Sequence, residues 1–318
     1  MYTNILIPLD ASPLAEGALG YARALAHKTG ARLTLIRAAK QPASAFGDRG
    51  YEQLRAIREA EDYLAHLAST FTTEGFAVDT GVPFGGDPGD WIVEEAAFRH
   101  PDLIVMASHN RVGVDHWLHG SVAEGVVHRA ECPVMLVKAA APYCVAERLA
   151  SAMPTLVVPL DGSELAEFAL PVATQMATAL GAHIALVSIV PSQTPLVAGP
   201  TFTTATFSET EYTAMVDDAR DYLRSVERSL EASGISTEHV VRIGDAALEI
   251  ASIAQQHRAA TVVMATHGRA GLVRAMLGSV AGAVVRCGNT PVVLVRPDRP
   301  QRILAAQSLR EVAACAAF

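Results

Sequence analysis

No apolar stretch of this chain approaches the roughly 18 residues that a membrane-spanning helix needs. No basic segment precedes an apolar one at the start, where Ile5-Leu6-Ile7 already reads as a strand. Neither a membrane anchor nor a signal peptide is expected, and a cytoplasmic location is the default. Cysteine is scarce. Cys132, Cys144, Cys287 and Cys315 include no CxxC pair and fit no zinc spacing. They read as buried or incidental thiols, and no dedicated metal site is expected. Basic residues are the minority: 25 Lys and Arg against 33 Asp and Glu leave a net charge of −8. That balance disfavours binding along a nucleic-acid backbone. It leaves room for a small anion held by backbone N–H groups. With 50% hydrophobic and only 18% charged residues, disorder is excluded. The 318 residues suit about two domains.

The chain repeats itself. "IPLDASPLAEGALGYA" (7–22) overlays "VPLDGSELAEFALPVA" (158–173) at an offset of 151. "DLIVMASHNRVGVDHWLHGSVAEGVVHRAECPVMLV" (102–137) overlays "ATVVMATHGRAGLVRAMLGSVAGAVVRCGNTPVVLV" (260–295) at an offset of 158. The difference falls mid-copy, where the second half carries a longer Pro/Thr/Ser-rich stretch at 191–210. Within a copy, β-rich apolar runs alternate with helical patterns. Copy one reads strand 3–9, a helix capped by Ser12 with Pro13 in its first turn, strand 32–37 and helix 50–73. Strand 76–82, helix 89–99, strand 102–107, helix 121–130 and strand 134–138 follow. Copy two repeats the order at 155–160, 164–180, 183–189, 209–233, 237–243, 246–257, 260–265, 279–286 and 292–296. Strands apolar on both faces and separated by helices imply an α/β fold. Each copy should hold a five-stranded parallel sheet flanked by helices. The boundaries read as domain 1 at 1–140, domain 2 at 152–297 and a tail at 298–318, with 139–153 as linker.

Ligands of such sheets bind at the carboxyl ends of strands, where the strand order reverses. Two stretches per copy qualify. Strand one ends in Pro8-Leu9-Asp10 followed by Ser12, and in Pro159-Leu160-Asp161 followed by Ser163. A carboxylate there can accept hydrogen bonds from an amino group or from hydroxyls; it can equally cap a helix. After strand four, copy two reads "MATHGRAGLVRAMLGSV" (264–280). Gly268 lies in a turn, and Gly278-Ser279-Val280 opens a helix whose first N–H groups form an anion site. His109 and His267 lack triad or metal partners in sequence and read as lining residues. Arg111 and Arg269 stand next to them, and Arg269 is the one within plausible reach of a phosphate. The glycine-rich 81–90 reads as a turn and helix start, and Trp91 and Trp117 as packing residues.

The spacing G-x2-G-x9-G-[S/T], the strand-one "PLD" and the duplication together resemble the nucleotide-binding signature of universal stress proteins, over about 2–138 and 154–296. The signature falls on Ala265, Gly268 and Gly278-Ser279 in copy two, and on Ala107, Asn110 and Gly120-Ser121 in copy one. The resemblance implies two tandem Rossmann-like domains of the adenine nucleotide alpha hydrolase type. It implies ATP as ligand, with Mg²⁺ or Mn²⁺ carried in by the nucleotide and met by Ser163 and Ser279. It assigns adenosine contacts to Asp161 and Asp10, and counts Ile189 among the nucleotide-binding residues. It further implies pairing of the two copies at their last strands, "PVMLV" (133–137) and "PVVLV" (291–295). Further association of two chains is left open. A stress-response or signalling role follows rather than catalysis, because no Walker-type lysine, carboxylate pair or Ser-Gly-Gly loop after strand one is present. The alternatives are a dimerisation module without nucleotide and a weak ATPase. Copy two, with Gly268 and Gly162 against Asn110 and Ala11, is expected to be the stronger site.

Overall fold

The computed structural model describes residues 2–39, 49–84, 86–108, 121–138, 144–192, 208–266 and 277–297. Copy one runs β1 (Asn4–Leu9), α1 (Pro13–Thr29), β2 (Arg32–Arg37), α2 (Arg49–Thr73), β3 (Val78–Gly81), α3 (Pro88–Arg99), β4 (Leu103–Ser108), α4 (Ser121–Arg129) and β5 (Val134–Lys138). A helix α5 (Cys144–Ala150) follows. Copy two runs β6 (Thr155–Pro159), α6 (Glu164–Glu167), α7 (Ala169–Leu180), β7 (His183–Pro191), α8 (Glu209–Ala232), β8 (Thr237–Gly244), α9 (Ala246–Gln256), β9 (Thr261–Ala265), α10 (Ser279–Cys287) and β10 (Val292–Val295).

Each half is the expected parallel five-stranded sheet, but the two halves form one continuous sheet of ten strands. Its order is β3-β2-β1-β4-β5-β10-β9-β6-β7-β8. The join is antiparallel: Val292 pairs with Leu136, Val293 with Met135 and Leu294 with Val134. An apolar edge strand left open would recruit other chains, and here each copy covers the other's edge. The β4, β5, β9 and β10 strands are buried along nearly their whole length, as strands packed on both faces must be. One buried cluster joins Ile5, Leu33, Met135, Leu149, Val158 and Val293, so it spans both halves. The opposite face holds Trp91, Val126, Val262 and Val284, which gives Trp91 the packing role expected of it.

Helix starts follow the sequence signals. The Ser12 Oγ accepts from the Ala15 N–H at 3.1 Å, with Pro13 at the first position. Asp87 caps α3 through the Gly89 N–H at 2.8 Å, which accounts for the glycine-rich 81–90 as a turn and a helix start. One expectation needs correction. The single helix 164–180 is two, α6 and α7, broken at Phe168. Pro171 has no N–H to bond Glu167 and its ring crowds that carbonyl; the aligned residue of copy one, Gly20, lets α1 run on. The linker carries a helix of its own, α5. Helix α5 buries Leu149 completely and lays Ala146 over Gly20, where a Cβ would come within 3.6 Å of the Ala146 Cβ. Lys28 Nζ donates to Ser151 O at 2.8 Å and Arg148 to Ala259 O at 3.3 Å, so the linker holds to both copies. Seven residues span too few turns to show a helical period.

Candidate functional site

In each copy the strand order reverses between the first and fourth strands. The ladder between them is short. β1 and β4 pair only at Ile5↔Leu103 and Leu6↔Ile104, and β6 and β9 only at Leu156↔Thr261 and Val157↔Val262. On its other side β1 pairs with β2 at six positions and β6 with β7 at five. The two middle strands therefore part company toward their carboxyl ends, and that is where an open α/β sheet has its ligand crevice. Because β5 and β10 run antiparallel, the two crevices lie at opposite edges of the sheet.

In copy two, Pro159, Asp161 and Ser163 lie at the carboxyl end of β6, and Ala265, Gly278, Ser279 and Val280 at or just beyond that of β9. Pro159 ends β6, and Asp161 follows it. The Asp161 Oδ1 accepts from the Ser163 N–H at 3.0 Å and from its hydroxyl at 2.5 Å, while Ser163 Oγ accepts from Ala166 N at 3.2 Å. Asp161 and Ser163 thus stiffen the turn that presents them. Gly162 between them sits at φ 77°, in the left-handed region. Leu160 is buried and its N–H bonds Val187 O at 2.8 Å, so its side chain belongs to the core. Ile189 lies half-buried on neighbouring β7. Ala265 ends β9, and the Gly278 N–H donates to Thr266 O at 2.8 Å, which sets the start of α10 against the end of β9.

Gly278 caps α10 without any side-chain hydrogen bond, and its first turn carries no acidic residue. Ser12, Asp87, Ser163, Ser208 and Asp245 give their helices a side-chain acceptor, whereas α7, which continues from α6 through Phe168, also lacks one. Ser279 and Val280 are exposed residues, and their amides lack a side-chain cap at the positive end of a helix, which attracts anions. His267, Gly268 and Arg269 lie outside the described residues, as do Asn110, Gly120, His109, Arg111 and Trp117 of copy one.

Copy one repeats the frame with differences. Asp10 Oδ1 accepts from Ser12 N at 2.9 Å, and Ala107 is buried near the end of β4 beside Val137. Ser121 begins α4. Ala11, however, adopts φ 63° without being glycine. A left-handed alanine costs roughly 1–2 kcal/mol. Ala11→Gly is accordingly expected to stabilise the chain by about 0.5–1 kcal/mol, net of the entropy that glycine adds to the unfolded chain. Urea denaturation measures it, and a destabilised variant would contradict the assignment of strain. One signal went unread in the sequence: Glu124 stands in the first turn of α4, where copy two has Gly282. A carboxylate at that place repels the phosphate that α10 would attract.

Both copies also fasten the first helix to the second in the same way. Tyr63 donates to Glu16 Oε1 at 2.8 Å and Tyr222 to Glu167 Oε1 at 2.9 Å. Burial, and then the bond to Glu16, push the Tyr63 hydroxyl well above the ordinary phenol range. Burial likewise pushes the Cys132 thiol up to about 12, so it stays protonated and unreactive. His183 and His257 both bond Glu238 Oε1, at 3.3 and 3.0 Å, at the amino ends of β7 and β8 and away from the crevice. Among the described residues no group of His, Cys, Asp and Glu is placed to hold a metal ion. No described helix is long and apolar enough to cross a membrane.

Comparison with known proteins agrees with this architecture. A universal stress protein of Thermus aquaticus is 32% identical over 140 residues, covering 43% of this chain and all of that one. The crystal structure of a universal stress protein from Archaeoglobus fulgidus superposes with a TM-score of 0.68 at 22% identity, covering 92% of this chain and 96% of that one. A putative universal stress protein of Pseudomonas aeruginosa superposes at 0.61, with 20% identity and 98% coverage of each chain. The profile of the universal stress protein family matches residues 1–138 and again 153–296. The chain therefore belongs to the universal stress protein family, with one copy of its domain in each half.

Proposed function

We propose that this chain binds ATP, with a Mg²⁺ or Mn²⁺ carried by the nucleotide, in the copy-two crevice, and serves as a stress-response or signalling regulator rather than a dedicated catalyst. The observation that carries the reading is the short ladder between β6 and β9. It opens a crevice with Asp161 on one lip and the uncapped start of α10 on the other. Asp161 takes the adenosine hydroxyls; the Ser279 and Val280 amides take phosphate. Ser163 is bound into its turn on both sides, which fits positioning better than attack on a phosphorus. Glu124 and the strained Ala11 favour copy one as the weaker site, or as a dimerisation partner that binds no nucleotide.

Titration calorimetry with Mg-ATP tests the reading. Removing a hydrogen-bonded charged group costs about 1.5–3 kcal/mol. Asp161→Ala should therefore weaken ATP by roughly tenfold to a hundredfold. Asp161→Asn, which keeps an acceptor for the Ser163 amide, separates loss of the contact from loss of the turn. Fast, saturable hydrolysis that disappears in Asp161→Ala would overturn the non-catalytic reading, and a wild type that ignores ATP would overturn the whole.

A further inference from the structure

The two crevices open at opposite edges of the sheet, yet one side chain reaches from the rim of one to the helix of the other. Lys138 is the last residue of β5 and pairs with Ser108, the last residue of β4, so it stands at the carboxyl edge beside the copy-one crevice. Its Nζ crosses the seam and donates to Arg286 O at 2.6 Å. That carbonyl lies in the last turn of α10. Antiparallel pairing of β5 with β10 makes this reach natural, because the carboxyl end of copy one lies at the amino end of copy two. The aligned position of copy two, Arg296, is also basic.

We propose that Lys138 is a positioning residue that fastens α10 from the other copy, so that the rim of the copy-one crevice and the phosphate-facing start of α10 are mechanically coupled. The inference rests on the nucleotide reading of copy two. α10 has nine residues, about 13 Å of helix. A helix so short moves as one body, and its amide-bearing first turn follows its last. The last turn is also where a cation is favourable, since the free carbonyls there carry the negative end of the dipole. Lys138 is half withdrawn from water, and that desolvation lowers its pKa. A phosphate or a carboxylate entering the copy-one crevice would compete with Arg286 O for this ammonium. Any ligand that draws Lys138 away from α10 changes the affinity of copy two, and by linkage the reverse holds as well.

The test is hydrogen–deuterium exchange by mass spectrometry, combined with Mg-ATP calorimetry, on the full chain as wild type, Lys138→Met and Lys138→Arg. In Lys138→Met the amides of α10 should exchange faster while those of α9 and β10 stay as in the wild type. ATP should bind about three- to tenfold more weakly. Lys138→Arg should restore both. A general loss of stability would speed exchange everywhere, so confinement to α10 marks a positioning role. Unchanged α10 exchange in Lys138→Met overturns the proposal. So does ATP affinity within about twofold of a wild type that binds, a change too small for a coupling free energy. A wild type that binds no ATP defeats the nucleotide reading instead. The exchange data then decide on the fastening by themselves, faster rates in α10 upholding it and unchanged rates ending it.

Discussion

Val293→Asp is expected to destabilise the whole chain by roughly 4 kcal/mol or more at neutral pH, the scale of an unpaired charge forced into a core. Val293 and Met135 are both fully buried and pair across the antiparallel join. No water reaches either side chain, and the neighbouring core positions are Leu, Val and Met, which offer a carboxylate no partner. The variant's carboxyl group would have its folded pKa raised by burial above the unfolded value near about 4. A group raised in this way favours the folded state only while protonated, so the deficit is smallest at acid pH and grows as pH rises through the folded pKa. Urea denaturation at pH 7 and at about pH 4.5 measures both magnitude and sign. Val293→Ile is the control, with a change under about 1.5 kcal/mol. A Val293→Asp variant within about 1 kcal/mol of wild type at pH 7, below the usual cost of a buried charge, would show that the seam is not closed in solution.

The periodic parts of this fold were legible because duplication printed every signal twice. The β2 and β5 strands appear at the bounds their apolar runs mark, and Ser12 caps α1 as the sequence implies. The likeness of "PVMLV" to "PVVLV" announced the pairing of the last strands. What escaped has local causes. Pro171 cuts a helix whose apolar pattern runs on through the break. Helix α5 is shorter than the window in which a 3.6-residue period becomes visible. At the site, the glycine-serine signature marks the start of α10, but its spacing carries no information on charge, such as that of Glu124 in the first turn of α4. Asp161 admits two readings in sequence, cap or ligand. The structure assigns the cap itself to Ser163 and gives Asp161 the turn beneath it. The cross-seam bond from Lys138 could not be read from sequence, because it depends on which strand ends the antiparallel join brings together.

Leu149→Ala should cost about 2–5 kcal/mol, the range for truncating a fully buried leucine and leaving a cavity. The leucine lies on α5, a helix of seven residues that could not stand alone in water. Its stability comes from packing, and the fully buried Leu149 docks it onto the shared core. Around that anchor, Ala146 sits over Gly20 of α1 and Arg148 reaches Ala259 in copy two. Loss of the anchor therefore weakens contacts with both copies at once. The same cluster joins Ile5 and Leu33 of copy one to Val158 and Met176 of copy two, so the intact chain should unfold in one cooperative step. In Leu149→Ala the deficit should appear in that single transition, with the midpoint lowered and the denaturant slope unchanged. Leu149→Met, which nearly conserves volume, should stay within about 1.5 kcal/mol of wild type. A Leu149→Ala change below about 0.5 kcal/mol, the size expected of an exposed position, would mean that α5 is a passive tether. Two separate transitions in the wild type would mean that the halves fold independently, with the seam contributing little to either.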